Sequence, residues 1–134
     1  MKKYALDSNI LSYLLKGDSK ILDKIESESL AGNEIRIPPV VYYEVKRGLL
    51  AVNATNKMSM FLTLCSKDAV GDMGIDVMDI AADIYVSLRK SGRGVEDADI
   101  LIAAFCLAHD YTLVTHNVRH FEGIIGLEFE DWVE

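Results

Sequence analysis

The chain has 134 residues, 50 % of them apolar and 26 % charged, the profile of one globular domain that folds without disulfides or a structural metal. Disordered, collagenous and coiled-coil classes are excluded, and no apolar run approaches the roughly 20 residues that cross a bilayer. Fourteen basic against twenty-one acidic side chains give a formal net charge of −7, which argues against a protein that grips nucleic acid by bulk charge alone.

Lys3-Tyr4-Ala5-Leu6 reads as a short strand that stops at Asp7, before any signal-peptide core could form. Ile10, Leu11, Leu14 and Leu15 then recur at helical spacing up to Gly17. Ser19 is placed to cap a second helix that runs to about Leu30, with Ile21, Leu22 and Ile25 on its face. After the turn Gly32-Asn33, Glu34-Ile35-Arg36-Ile37 alternates like a strand and ends at the breaker Pro38-Pro39. From Val40 a helical face of Val41, Val45, Leu49 and Val52 follows. Further helices are predicted from Ala54 to Cys65 and from Asp79 to about Lys90. Gly92-Arg93-Gly94 is a loop. Asp97 to His109 reads as a strongly amphipathic helix with Ile100, Ala103, Ala104, Leu107 and Ala108 inward. Thr112-Leu113-Val114-Thr115 is a buried strand, and a short strand near Leu127-Glu128-Phe129 follows a loop. Strands separated by helices, without repeat or linker, predict a single α/β domain over residues 1–134, with a mainly parallel sheet of four to five strands flanked by helices. Cys65 and Cys106 lie in apolar helical patterns rather than a disulfide framework, so they read as buried hydrophobes of a protein in a reducing cytoplasm.

The charge is unevenly placed. Residues 1–67 carry ten basic and seven acidic groups, residues 68–134 four and fourteen. Such an acidic half is either a solvated surface or a carboxylate set suited to a divalent cation. Ligands of open α/β sheets gather outside the carboxyl ends of the strands. Asp7 lies at such an end, Glu44 sits on the helix fed by the second strand, Asp99 is in the first turn of its helix, and Asn117 follows the late strand. Oxygen donors of this kind suit Mg²⁺ or Mn²⁺, whereas the cysteines and histidines lack zinc spacing. Each residue also has a plain reading. Asp7 fits a helix cap, Glu44 beside Lys46 and Arg47 a solvated face, and Asp97 and Asp99 a helix N-terminus favoured by the macrodipole.

The segment Leu6-Asp7-Ser8-Asn9-Ile10-Leu11-Ser12-Tyr13-Leu14-Leu15-Lys16-Gly17 resembles the opening motif of PIN-domain ribonucleases, specifically the VapC toxins of toxin–antitoxin pairs. Glu96-Asp97-Ala98-Asp99-Ile100-Leu101-Ile102-Ala103-Ala104 resembles their second hallmark. Leu113-Val114-Thr115-His116-Asn117-Val118-Arg119-His120-Phe121 resembles the third, and Gly126-Leu127-Glu128-Phe129-Glu130-Asp131-Trp132 the usual ending. Their middle carboxylate falls on Glu44. The order is right along essentially the whole chain.

This resemblance implies a PIN-like fold and a Mg²⁺-dependent endoribonuclease, with Mn²⁺ as an alternative metal and Asp7, Glu44 and Asp99 as catalytic metal ligands. Hydrolysis in the family is thought to leave a 5′-phosphate and a 3′-hydroxyl. Many members carry a fourth acidic residue where this chain has Asn117, a weaker ligand; Asp97 ranks with it as a secondary candidate, and Ser8 and Asn9 as groups that orient Asp7 or touch phosphate. Lys46, Arg47 and Arg93, with Arg89 and Lys90, are RNA-contact candidates. Tyr42, Tyr43 and Phe105 read as core, and Trp132 as the residue that packs the C-terminus onto the sheet. The family further implies a homodimer, a tRNA or rRNA substrate and a cognate VapB-like antitoxin, for which Ile10, Leu14, Leu15, Met58 and Met60 are candidate docking residues. Two rival enzyme or signalling classes fit less well. A receiver domain needs paired acids after the first strand and a central phospho-acceptor, but no acid lies between Glu44 and Asp68. A haloacid-dehalogenase phosphatase needs Asp-x-Asp, and Asp7-Ser8-Asn9 lacks the second carboxylate. A third alternative is an inactive PIN module that only binds RNA.

Overall fold

The computed structural model describes residues 1–66 and 68–133. Among them, four strands form one sheet: β1 (Lys3–Leu6), β2 (Glu34–Arg36), β3 (Thr112–Val114) and β4 (Phe129–Glu130). Six helices flank it: α1 (Ser8–Leu15), α2 (Ser19–Leu30), α3 (Pro39–Ala51), α4 (Thr55–Leu64), α5 (Ile75–Lys90) and α6 (Asp97–His109). The strand order is β2-β1-β3-β4 and every pairing is parallel. Parallel pairing sends all carboxyl ends to one edge, so Asp7, Ile37, Thr115 and Asp131 emerge on the same side. The chain leaves β1 toward β2 and later returns on the other flank of β1 as β3. Crevices in open α/β sheets form at such a reversal, which here lies between Asp7 and Thr115.

The two central strands are buried, with Tyr4, Ala5, Leu6, Leu113 and Val114 all shielded from solvent. A central parallel strand is covered on both faces and therefore runs apolar rather than alternating. α5 packs along α6, while α1 contacts α2, α3 and α4. α6 is not the amphipathic helix its sequence suggests. Ile100, Ile102, Ala103, Ala104, Phe105 and Cys106 are all buried, whereas Leu107 and Ala108 are half-buried. A helix enclosed by α5, α3 and the sheet needs apolar side chains around most of its girth. Burial pushes the Cys106 thiol up, and that of half-buried Cys65 to about 11, so both are unreactive hydrophobes at neutral pH.

Several boundaries differ from expectation for local reasons. α2 is capped by Asp18 rather than Ser19: one carboxylate oxygen accepts from the N–H groups of Lys20 at 3.0 Å and Ile21 at 3.2 Å. Pro39 does not merely break the strand. It is the first residue of α3, a position whose N–H needs no partner. α5 begins at Ile75 instead of Asp79. Val52 lies past the end of α3 and is 72 % exposed, so it leaves the face formed by Val41. The last strand falls on Phe129–Glu130. Beyond it Trp132 meets Tyr4 edge-on with ring centroids 5.1 Å apart, and its indole N–H donates to Glu130 Oε1 at 3.0 Å. The tail is thereby packed onto β1, as expected.

The cap assignment is directly testable. Asp18→Ala should cost about 1 kcal/mol, a fall in melting temperature of about 3–5 °C for a domain of this size. Ser19→Ala should change stability by less than about 0.5 kcal/mol. Equal falls in thermal denaturation would show that Asp18 is not the cap.

Candidate active site

Asp7 ends β1 and caps α1, and its side chain is only 3 % exposed. A buried carboxylate needs donors on both oxygens, and both have them. The Ser8 backbone N–H donates to Oδ1 at 2.7 Å, the Asn9 side-chain amide to Oδ2 at 3.0 Å, and the Thr115 hydroxyl to Oδ2 at 2.8 Å. Asn9 is itself fixed, because its carbonyl oxygen accepts the His116 backbone N–H at 2.9 Å; that bond leaves only the NH₂ end to face Asp7. Thr115 Oγ1 in turn accepts the Asn117 backbone N–H at 3.0 Å. Asp7 thus caps α1 from the carboxyl edge of the sheet.

Glu44 reaches the same region from α3 and Asp99 from the first turn of α6; both are half-buried. Burial first, then the charge of Asp7, raises the Glu44 carboxyl above the usual range; Arg47 opposes the rise, and Asp99 and Glu96 add to it. Asp99 is raised by burial and by Asp7, against the pull of His120, with a further contribution from Glu96. The His120 Nδ1 lies 3.0 Å from Asp99 Oδ2. Glu44 and Asp99 therefore both feel Asp7 as a like charge at the strand end.

The surface here has two clefts. The first, about 420 Å³, is lined by Ser8, Asn9 and Ser12 of α1, Glu44 and Arg47 of α3 and Lys57 of α4, over an apolar floor of Leu15, Val45 and Leu49. The second, about 290 Å³, is lined by Arg93, Gly94, Val95, Glu96, Asp99, Arg119 and His120.

The other predicted residues divide sharply. Asp97 is exposed and lines neither cleft. Asn117 is exposed, and its described contact with the site is the backbone N–H to Thr115. Arg47 and Arg93 line one cleft each. Lys46 instead donates to the Tyr42 hydroxyl at 3.2 Å, and Arg89 to the Tyr85 hydroxyl at 3.0 Å. Tyr43 is 58 % exposed rather than core, with the Arg47 guanidinium 5.0 Å from its ring centre. Of the expected docking residues, Ile10 is wholly buried and unavailable, Met58 and Met60 lie outside the first cleft, and Leu15 contributes to its floor.

Thr115, His120, Glu96 and Arg119 were not singled out from the sequence. Thr115 had a signal, a hydroxyl that closes an otherwise apolar strand at the same edge as Asp7. His120 had none, since its bond to Asp99 spans 21 residues.

Among the described residues, no three His, Cys, Asp or Glu side chains stand close enough to hold an ion by direct contacts alone. Mg²⁺ does not require that, because it keeps several waters and commonly takes one or two carboxylates directly. The donors are all oxygen, Glu44 lines the first cleft and Asp99 the second, and both feel the charge of buried Asp7, a set that suits a hard divalent cation.

A family model described as PIN domain matches residues 4–124. Ribonuclease VapC1 of Haemophilus influenzae (strain R2866) is 26 % identical over 138 residues, with 98 % of each chain covered. The tRNA(fMet)-specific endonuclease VapC of Shigella flexneri is 27 % identical over 133 residues, covering 98 % of this chain and 99 % of that protein. Among solved structures, VapBC-1 from nontypeable Haemophilus influenzae superposes with a TM-score of 0.86 at 27 % identity, over 98 % of this chain and 99 % of that one. The parallel sheet, its reversal at β1 and the acidic strand edge agree with the family match, and the chain belongs to the PIN-domain family.

Proposed function

We propose that the protein is a Mg²⁺-dependent endoribonuclease toxin, held inactive in the cytoplasm by a VapB-like antitoxin. The observation that carries this reading is the set of three carboxylates at the carboxyl edge of the sheet, in which burial and the charge of Asp7 together raise the proton affinity of Glu44 and of Asp99. The VapC relatives named as ribonucleases support the activity, and the VapBC structure supports the partner. Among the described residues no helix is long and apolar enough to cross a membrane.

A phosphodiester is anionic and repels a nucleophile of its own sign. Asp7, Glu44 and Asp99 are the residues that would hold the cation, which when bound supplies charge neutralisation and lowers the pKa of water for in-line attack. The chain's own contribution is positioning. Ser8, Asn9 and Thr115 fix both oxygens of Asp7 so that its charge does not swing away. His120 holds Asp99 from the outer side. The first cleft admits the strand past Glu44, and its Arg47 and Lys57 offset phosphate charge. The relative named for tRNA(fMet) makes tRNA the first substrate to try.

Purified protein should cut tRNA with Mg²⁺ or Mn²⁺ and stop in EDTA; undiminished cleavage in EDTA, with contaminating nuclease excluded, would end the metal mechanism. Asp7→Asn and Asp99→Asn should each lower cleavage about a hundredfold or more, since even the partners of metal ligands are worth 10–100-fold. Asp97→Asn should keep most of the activity. Asp7→Asn also turns an NH₂ toward donors, at a cost of about 1–3 kcal/mol, which a domain of ordinary stability survives. Equal loss in the Asp97 and Asp99 variants at matched melting temperature would place both in the site.

Charge repulsion gives a second test. A carboxyl whose folded pKa lies above its unfolded value destabilises the metal-free fold once it ionises, so the penalty is absent in acid and complete above the raised pKa. Glu44→Gln should therefore raise the melting temperature of metal-free protein at neutral pH while abolishing the further rise that Mg²⁺ gives the unsubstituted chain. In acid, cation binding should fail at a pH above the ordinary carboxylate range, because the ligands must be ionised. Calorimetry across pH reads both. A Glu44→Gln chain that melts lower and still responds to Mg²⁺ would remove Glu44 from the site.

A further inference from the structure

The acidic half of the chain carries only four basic side chains, Arg89, Lys90, Arg93 and Arg119. Two of them line the second cleft together with Asp99. Arg93 is seated there by specific packing. One guanidinium nitrogen donates to the Arg119 carbonyl oxygen at 3.3 Å, and the side chain lies across Gly123 so closely that a Cβ at that position would fall 2.6 Å from Nε, 2.7 Å from Cδ and 2.9 Å from Cζ. Glycine at 123 is thus the seat of the guanidinium. Among the described residues neither Arg93 nor Arg119 forms an ion pair with a carboxylate; Asp99 is engaged by His120 instead. A guanidinium has five donors in a planar fork suited to phosphate, and one of those of Arg93 is taken by the carbonyl. Two cations free to bind an anion, at the wall of a cleft that also holds a proposed metal ligand, are placed to meet the backbone of a strand that crosses Asp99.

We infer that Arg93 and Arg119, with Gly123 as the seat of Arg93, form a phosphate-binding subsite for RNA in the second cleft. The subsite rests on the nuclease reading for the identity of the strand. It takes a phosphate that flanks the one cut and holds it by charge-assisted hydrogen bonds. It explains how a chain of net charge −7 retains an anionic polymer: the cations are few but sited beside the carboxylates, where their field is needed.

The probe is a fluorescein-labelled single-stranded oligouridylate, followed by anisotropy in EDTA so that no cleavage intervenes. Arg93→Gln and Arg119→Gln should each weaken binding about tenfold, the worth of a hydrogen bond to a charged group. The slope of log affinity against log salt should fall by about 0.7 for each phosphate contact removed. Arg89→Gln removes the same charge outside the cleft and should weaken binding less than about twofold, as expected of an exposed charge. Gly123→Ala changes no charge and displaces only the flexible end of Arg93, so it should fold normally and match Arg93→Gln. If Arg89→Gln costs as much as Arg93→Gln, or if Arg93→Gln, Arg119→Gln and Gly123→Ala all bind as the unsubstituted chain does, the subsite is overturned. Cleavage of tRNA with Mg²⁺ by the unsubstituted chain is scored separately. Variants that lose binding while the parent cuts nothing leave the subsite standing and the nuclease reading overturned; a parent that cuts while the variants bind unchanged does the reverse.

Discussion

A carboxylate buried at the end of a central strand imposes conditions on everything near it. Asp7 is almost inaccessible, and an ionised group in that position is tolerated only with donors on its oxygens. The next residue, the one after it, and a strand from the far end of the sequence supply them. Each donor is held in turn: Asn9 by the His116 backbone, Thr115 by its place at the end of β3. The parallel register of β1 and β3, which sets Leu6 opposite Val114, is what delivers the hydroxyl to the carboxylate. Fold and site therefore share one hydrogen-bonded cluster, and a change that slips the register disassembles both.

Around this satisfied charge lie two that are only partly offset, Glu44 by Arg47 and Asp99 by His120. Glu44 and Asp99 are pressed toward Asp7 with partial burial and incomplete compensation, the kind of arrangement that a fold optimised only for stability avoids. The opposing cations stand at the rims of the clefts, Arg47 on one side and Arg93 and Arg119 on the other. Negative charge at the centre is thus flanked by positive charge at the rims. A metal and a phosphate backbone can be held together by such an alternation, although the chain as a whole is acidic.

The elements on which this depends were largely readable from residue order, because strand ends, helix starts and the apolar runs of β1 and β3 are local signals. Asp7 and Asp99 stand at such positions, whereas Glu44, in the middle of α3, is set apart from a solvated helix residue only by the family resemblance. The limits were equally physical. Thr115 meets Asp7 across 108 residues, and His120 meets Asp99 through a turn of 3₁₀ helix at Val118–His120; periodicity carries no record of either pairing. α6 lost its expected polar face since burial on several sides was decided by α5, an element whose own start was misplaced. Tyr43 read as core from its apolarity, yet only Tyr42 of the pair turns toward Phe61.

The separation of 108 residues between Asp7 and Thr115 also sets an order in time. During synthesis Asp7 emerges early, with a neighbouring cap but without the hydroxyl that completes its environment or the helix that brings Asp99. α6 and β3 arrive only after most of the domain has been made, and the sheet cannot place Thr115 until β3 pairs with β1. A nascent chain is surrounded by ribosomal RNA, messenger and tRNA. Because Asp7 and Thr115 lie 108 residues apart, the cluster is complete only once β3 has been made and paired with β1.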